Sequence, residues 1–200
     1  MDGEEDGHKA ARVATGLDLD GVSKTLWSAF CEDPLWSWAF PDRDNLAVWW
    51  RFLINSALRY PWVWITSGYG AASVWLPPGA SELTEQEEMR VEPMLEDLLG
   101  TRSEAVIELL ERFDASHPRS EPHYYLSLLG THPHYRDRGL GMALLAENLA
   151  RIDEEGKPAY LESSNPDNDT RYERVGFRRV GEFSTPDGSQ TVATMWREAR

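Results

Sequence analysis

The sequence predicts a mixed α/β fold in a single domain, and three observations carry that expectation. Strand-like and helix-like patterns alternate along the 200 residues. The run Tyr124-Tyr-Leu-Ser-Leu-Leu129 is apolar towards both sides, as a central strand is. A glycine-punctuated loop then leads from that run into a helical pattern that starts at Gly139.

The elements follow in order. Arg12 to Thr15 reads as a short strand. Asp18 or Asp20 caps a helix to about Phe30, with Val22, Leu26, Ala29 and Phe30 on one face. Asp33 to Pro41 reads as an aromatic loop, and Asp44 to Arg59 as a second helix ended by Pro61. Trp62–Thr66 and Ala71–Leu76 form a hairpin around Ser67-Gly-Tyr-Gly70. Two helices, around Thr84–Leu99 and Ser103–Phe113, precede a linker from His117 to Pro122. Tyr124–Leu129 is followed by a helix from Gly139 to about Glu155 and a strand from Pro158 to Glu162. A short helix from Asp169 to Val175 is closed by Gly176. Phe177–Phe183 and Gln190–Trp196 pair around Pro186-Asp187-Gly188. Residues 1–9 are expected to be a disordered acidic tail, and 10–200 the domain.

Composition narrows the function. The net charge is −14, which opposes nucleic-acid binding because such affinity rests on neutralising phosphates with Lys and Arg. The same charge suits a cationic acceptor through long-range attraction. No window reaches the unbroken apolar length of a membrane span, and the acidic N-terminus lacks the apolar core of a secretory signal. The single cysteine, Cys31, gives no internal disulfide framework and suits a reducing, cytoplasmic setting. Of nine tryptophans, eight precede residue 80, so most are core, and Trp36 and Trp38 are candidates for a ligand pocket.

Two segments point to chemistry. In the first, Arg136-Asp-Arg-Gly-Leu-Gly-Met142 opens a helix directly after the apolar strand. A helix N-terminus presents unpaired N–H groups to an anion, while Gly139 and Gly141 allow close approach and Arg136 and Arg138 add charge. A dinucleotide fingerprint is excluded, because its third glycine would fall at Leu144. In the second, Leu161-Glu-Ser-Ser-Asn165 is followed by Asn168 and Arg171-Tyr-Glu-Arg-Val-Gly-Phe177.

Together these motifs resemble the GNAT superfamily of acyl-CoA N-acyltransferases, firmly over residues 123–183. Within it, Tyr160–Phe177 is similar to the puromycin N-acetyltransferase subfamily. The resemblance implies one mixed sheet of about six to seven strands, splayed in the middle and flanked by helices. It also implies acetyl-CoA as co-substrate, with no metal. The amides of Asp137, Arg138, Gly139, Leu140, Gly141 and Met142 would hold the pyrophosphate, beside Arg136. The main chain of Leu129, Gly130 and Thr131 would pair with the pantetheine arm, and a backbone N–H there would be the oxyanion donor. Asn165 and Asn168 are either pantetheine contacts or cap residues.

Tyr172 is the implied general acid, because a neutral phenol can protonate a departing thiolate. Glu162, at the end of its strand, is the candidate base, with His123 a weaker one and a structural ion-pair role the alternative. Trp36, Trp38, Glu32 and Asp33 are candidate acceptor contacts, and His132 and His134 lack the partners of a metal site. The expected reaction is direct acetyl transfer to a primary amine of a small molecule, such as an aminonucleoside or an antibiotic-like aromatic amine. A peptide or protein N-terminus as acceptor, or a non-catalytic CoA-binding sensor, remain alternatives. No nucleic-acid or membrane partner is expected, and superfamily dimers make a homodimer a reasonable expectation.

Overall fold

The structure, a computed structural model, describes residues 11–200. The expected tail at 1–9 lies outside the described residues. Seven strands form one sheet: β1 (Arg12–Val13), β2 (Val63–Ile65), β3 (Ala71–Leu76), β4 (Tyr124–Thr131), β5 (Ala159–Ser163), β6 (Arg178–Ser184) and β7 (Thr191–Arg197). Their spatial order is β1-β2-β3-β4-β5-β7-β6. Every neighbouring pair is antiparallel except β4 and β5, which run parallel.

That exception shapes the middle of the sheet. The β4–β5 pairing covers Tyr124↔Ala159, Tyr125↔Tyr160 and Leu126↔Leu161, and then stops. On its other side β4 stays paired with β3 out to Ala71↔Thr131, and β5 stays paired with β7 out to Ser163↔Ala193. The two central strands therefore diverge beyond Leu126 and Leu161. From there, Ser127–Thr131 face the gap with main-chain groups that β5 does not satisfy, which is the splay the resemblance implies.

Eight α-helices cover the sheet: α1 (Leu19–Phe30), α2 (Pro34–Ala39), α3 (Arg43–Ala57), α4 (Glu85–Glu88), α5 (Val91–Leu99), α6 (Ser103–Ser116), α7 (Leu140–Glu154) and α8 (Asp169–Arg174). One core layer joins α1, α2, α3, α5 and α6 to Val63, Ile65, Ala72 and Val74 of the sheet. The other packs Leu144, Leu145, Leu149 and Ile152 of α7 on Trp64, Trp75, Leu126 and Leu161. Val63 and Ile65 thus face one layer and Trp64 the other, the two-residue period of a strand covered on both sides.

Two expectations change. Asp33–Pro41 was expected as a loop, yet Pro34–Ala39 is helical. Asp33 accepts hydrogen bonds from the N–H groups of Leu35 and Trp36, and Pro34, whose fixed φ suits a first turn, follows it. The expected single helix over Thr84–Leu99 is two pieces, α4 and α5, the first fixed by a reciprocal Thr84–Glu87 capping box.

One buried polar contact locks α7 to the sheet. Asn148 is fully buried, and its Oδ1 accepts from Ser73 Oγ at 2.7 Å and Trp75 Nε1 at 3.0 Å. Asn148→Ala would leave both donors buried without a partner. A loss of about 1–3 kcal/mol is expected, read as a lower urea midpoint at unchanged m-value.

Candidate acyl-CoA and acceptor site

Two cavities meet where the sheet opens. The smaller, about 560 Å³, is a groove along the N-terminus of α7. Leu129, Gly130 and Thr131 border it on the β4 side, and Arg136, Asp137, Gly139, Leu140, Gly141 and Met142 along the loop. Asn165, Asn168 and Tyr172 close it. Of the expected cofactor residues only Arg138 stands outside, its guanidinium over the Tyr135 ring at 5.3 Å.

Local conformation explains the loop. Asp137 and Gly139 both take positive φ, 64° and 71°, which turns the chain sharply into α7. The first intrahelical bond recorded runs from Ala143 N to Gly139 O, so the N–H groups of Leu140, Gly141 and Met142 have no partner within the helix. A Cβ on Gly141 would stand 2.4 Å from Thr131 Oγ1, so this glycine is required by the close seating of α7 on β4. Unpaired amides, a basic side chain and free strand edge together fit a phosphorylated pantetheine ligand such as CoA.

The larger cavity, about 1120 Å³, lies under α6 and the segment after β3. Its walls include Trp36, Trp49, Trp50, Phe113 and Tyr125, and it also contains Glu82, His117 and Glu162. Trp36 is nearly buried, edge-on to Trp50 at 4.5 Å and stacked with Phe113 at 6.1 Å. Phe30, Leu129, Asn168 and Tyr172 line both cavities, so they mark the junction.

Glu162 lies one residue beyond the last β4–β5 pair. Its side chain is 2% exposed, and neither carboxylate oxygen makes a well-formed hydrogen bond among the described residues, the nearest hydroxyls being those of Tyr125 and Tyr160. An unpaired buried carboxylate is costly, and a cationic or proton-bearing ligand relieves that cost. Glu82 is the second carboxylate of this cavity. It accepts from Ser127 Oγ, and burial, with Glu162 nearby, raises its pKa above the usual carboxylate value. Tyr172 has its phenol pushed up to about 12, chiefly by desolvation and further by the Asp33 and Asp169 carboxylates.

The remaining expected contacts are placed as follows. Asp33 borders the groove. Its Oδ1 caps α2 and its Oδ2 accepts from Ser164 Oγ at 2.8 Å. Glu32 also borders the groove, exposed and 3.9 Å from Arg43. Trp38 borders neither cavity, because its Nε1 donates to Asp187 Oδ2 at 2.8 Å and Arg102 covers its ring. Asn165 Oδ1 accepts from Asp167 N and Asn168 Oδ1 from Arg171, so both amides also serve the turn into α8. Sequence reasoning did not single out Glu82, His117, Tyr125 or Arg171 as site residues. Of these only Arg171, adjacent to Tyr172, carried a local signal.

An acetyltransferase (GNAT) domain model matches residues 114–195. Solved structures align along almost the whole chain. A histone acetyltransferase HPA2-related protein from Corynebacterium glutamicum is 21% identical, with 96% of each chain covered and a TM-score of 0.66. Arylalkylamine N-acetyltransferase 2 from Aedes aegypti is 12% identical, covering 96% of this chain and 99% of that one, at 0.69. An agmatine N-acetyltransferase is 17% identical, covering 94% and 98%, also at 0.69. These likenesses establish the GNAT fold, and residues 114–195 match the acetyltransferase (GNAT) domain model within it. Among the described residues, no helix is long and apolar enough to cross a membrane.

Gly141→Asp would drive a side chain into Thr131 and place a negative charge at the mouth of α7. Loss of CoA binding by titration calorimetry is expected, together with a lower urea midpoint from the disturbed α7–β4 contact. Retained affinity would remove the loop from the cofactor site.

Proposed function

We propose that the protein is an acetyl-CoA-dependent N-acetyltransferase acting on a primary amine of a small molecule, by direct attack in a ternary complex. The observation that carries this reading is the meeting of a phosphate-suited groove and an aromatic, acidic cavity at Tyr172, Asn168 and Leu129. Two ligands entering from opposite sides would touch there. Glu82 and Glu162 supply negative charge for a cationic amine, and Trp36, Trp50 and Phe113 supply a flat apolar wall. That wall, with the similarity of Tyr160–Phe177 to the puromycin N-acetyltransferase subfamily, favours an aromatic amine such as an aminonucleoside. Two of the similar structures are named for amine acceptors, agmatine and arylalkylamines, which supports an amine here.

Acetyl-CoA, when bound, supplies an acetyl group activated as a thioester. The amides of Leu140–Met142 and the Arg136 side chain hold its pyrophosphate, and the free edge at Leu129–Thr131 orients its pantetheine arm. A main-chain N–H of that edge stabilises negative charge on the carbonyl oxygen, a contribution often worth about 10²–10³ in rate. Glu162 removes a proton from the incoming ammonium, because only the neutral amine has a lone pair. Tyr172 Oη donates the proton that the departing sulfur requires, and the second proton shed by the acylated nitrogen restores the phenol. Its raised pKa keeps the phenol protonated until the pH rises through about 12.

The test is thiol release from acetyl-CoA with a panel of amines and short peptides. Turnover with aromatic amines is expected; turnover with peptides alone would replace the small-molecule reading, and CoA binding without turnover on any amine would overturn catalysis. Tyr172→Phe should lower kcat by about 10²-fold with CoA affinity unchanged. In the wild type, no alkaline limb from this phenol should appear in the kcat profile below about pH 11.

A further inference from the structure

Resting on this reading of Glu162 as base, we infer that His117 carries the acceptor's proton from Glu162 to solvent, and that His123 fixes the tautomer His117 needs for it. The geometry poses the problem first. The Glu162 side chain is 2% exposed, so a proton taken there has no direct exit to water. The polar groups beside this carboxylate are the Tyr125 and Tyr160 hydroxyls and, 3.9 Å from its Oε1, His117 Nδ1; of these three only the imidazole carries a basic nitrogen. His117 follows the C-terminus of α6 and its side chain is 29% exposed, so it spans the distance from the buried carboxylate to bulk water.

The hydrogen bonds determine which nitrogen can accept. His123 Nδ1 lies 2.7 Å from the Glu121 carbonyl oxygen. A carbonyl only accepts, so Nδ1 carries the hydrogen. Burial lowers the His123 pKa, which keeps that ring neutral and leaves a lone pair on its Nε2. This lone pair lies 3.1 Å from His117 Nε2, so His117 donates from Nε2. Neutral His117 then has its own lone pair on Nδ1, the atom that faces Glu162. The reverse tautomer would set two lone pairs against each other at 3.1 Å and turn an N–H towards the base.

The surroundings set the resting position of this ring. Tyr125 from β4 and Tyr160 from β5 meet His117 edge-on, at 4.9 and 5.1 Å between ring centres. Burial first, and then the nearby Glu162 carboxylate, raises both phenols far above their ordinary value, so neither competes for the proton. Glu82 lines the same cavity, and its carboxyl interacts electrostatically with both Glu162 and His117. Asp114, on the last turn of α6, is committed to Arg119 at 2.7 Å.

The transfer is balanced without any further reactant. An N–H bond of the ammonium breaks as an O–H bond forms on Glu162. That O–H then breaks as N–H forms on His117 Nδ1, which restores the carboxylate and leaves an imidazolium. At rest Nδ1 faces Glu162 and Nε2 faces His123, so the imidazolium passes its Nδ1 proton to water by swinging the part-exposed ring outward. One water, or a small side-chain rotation, closes the 3.9 Å gap between the two groups.

Two measurements test the inference. In ¹⁵N-labelled wild-type protein, side-chain NMR of the neutral His117 ring should show its hydrogen on Nε2; a hydrogen on Nδ1 overturns the proposal, whatever the activity. In His117→Ala, kcat should fall by about 10–100-fold at unchanged acetyl-CoA KM and urea midpoint, and added imidazole should restore at least a third of it. Unchanged kcat, or a loss that imidazole does not relieve while the midpoint holds, overturns it. Failure of the wild type to release thiol with any amine would instead refute the catalytic reading, and the tautomer would still be measurable.

Discussion

β4 and β5 share hydrogen bonds only as far as Leu126 and Leu161, and each then follows its antiparallel partner. Sheet twist rotates neighbouring strands steadily, so a short parallel pairing between two well-anchored antiparallel units is free to open. The gap is held from both sides. α7 is bound to β3 through Asn148, Ser73 and Trp75, and α1 lies so close to β4 that a Cβ on Gly130 would come within 2.8 Å of Ala29. The unsatisfied main chain of β4, the mouth of α7 and the entrance to the acceptor cavity all depend on that divergence.

The electrostatics follow from the same opening. Glu162 is the first residue past the last parallel pair, and its side chain turns into a cavity that holds a second carboxylate. In a sealed core, two such groups would be neutralised or matched by cations. Here Glu162 has the Tyr125 and Tyr160 hydroxyls and the His117 ring beside it but, among the described residues, no well-formed hydrogen bond and no cation, a condition that suits a group whose partner arrives with the substrate. Tyr172 sits at the other side of the junction with its proton held tightly. The site thus separates a proton acceptor from a proton donor across the place where acyl group and amine would meet.

Much of this was legible in the sequence because it is local. The Arg136–Met142 loop, the Tyr172-x-x-x-Gly176-Phe177 motif and the two-sided apolar run at Tyr124 each place their residues within one strand–helix junction. The elements were legible for the same reason, apart from the break between α4 and α5 and from α2, where three aromatics obscured an Asp33-Pro34 helix start. The acceptor wall was less accessible. Glu82, His117 and Glu162 come from a loop after β3, the end of α6 and the end of β5, and no sequence period relates them. Trp36 and Trp38 looked equivalent, being two residues apart. A short helix separates such positions by about 200°, so one ring joined the cavity and the other the Asp187 turn.

The tryptophan distribution has an optical consequence. Trp36, Trp49 and Trp50 line the acceptor cavity, whereas the groove along α7 is lined by Phe30, Tyr135 and Tyr172 and by no indole. Emission from the indoles therefore reports on whatever displaces water beside α2 and α3, while a ligand seated along α7 perturbs mainly tyrosine. Tyrosine borders both compartments, through Tyr172 and Tyr125, whereas indole borders only the acceptor cavity, so filling of that cavity can be followed by wavelength without any label.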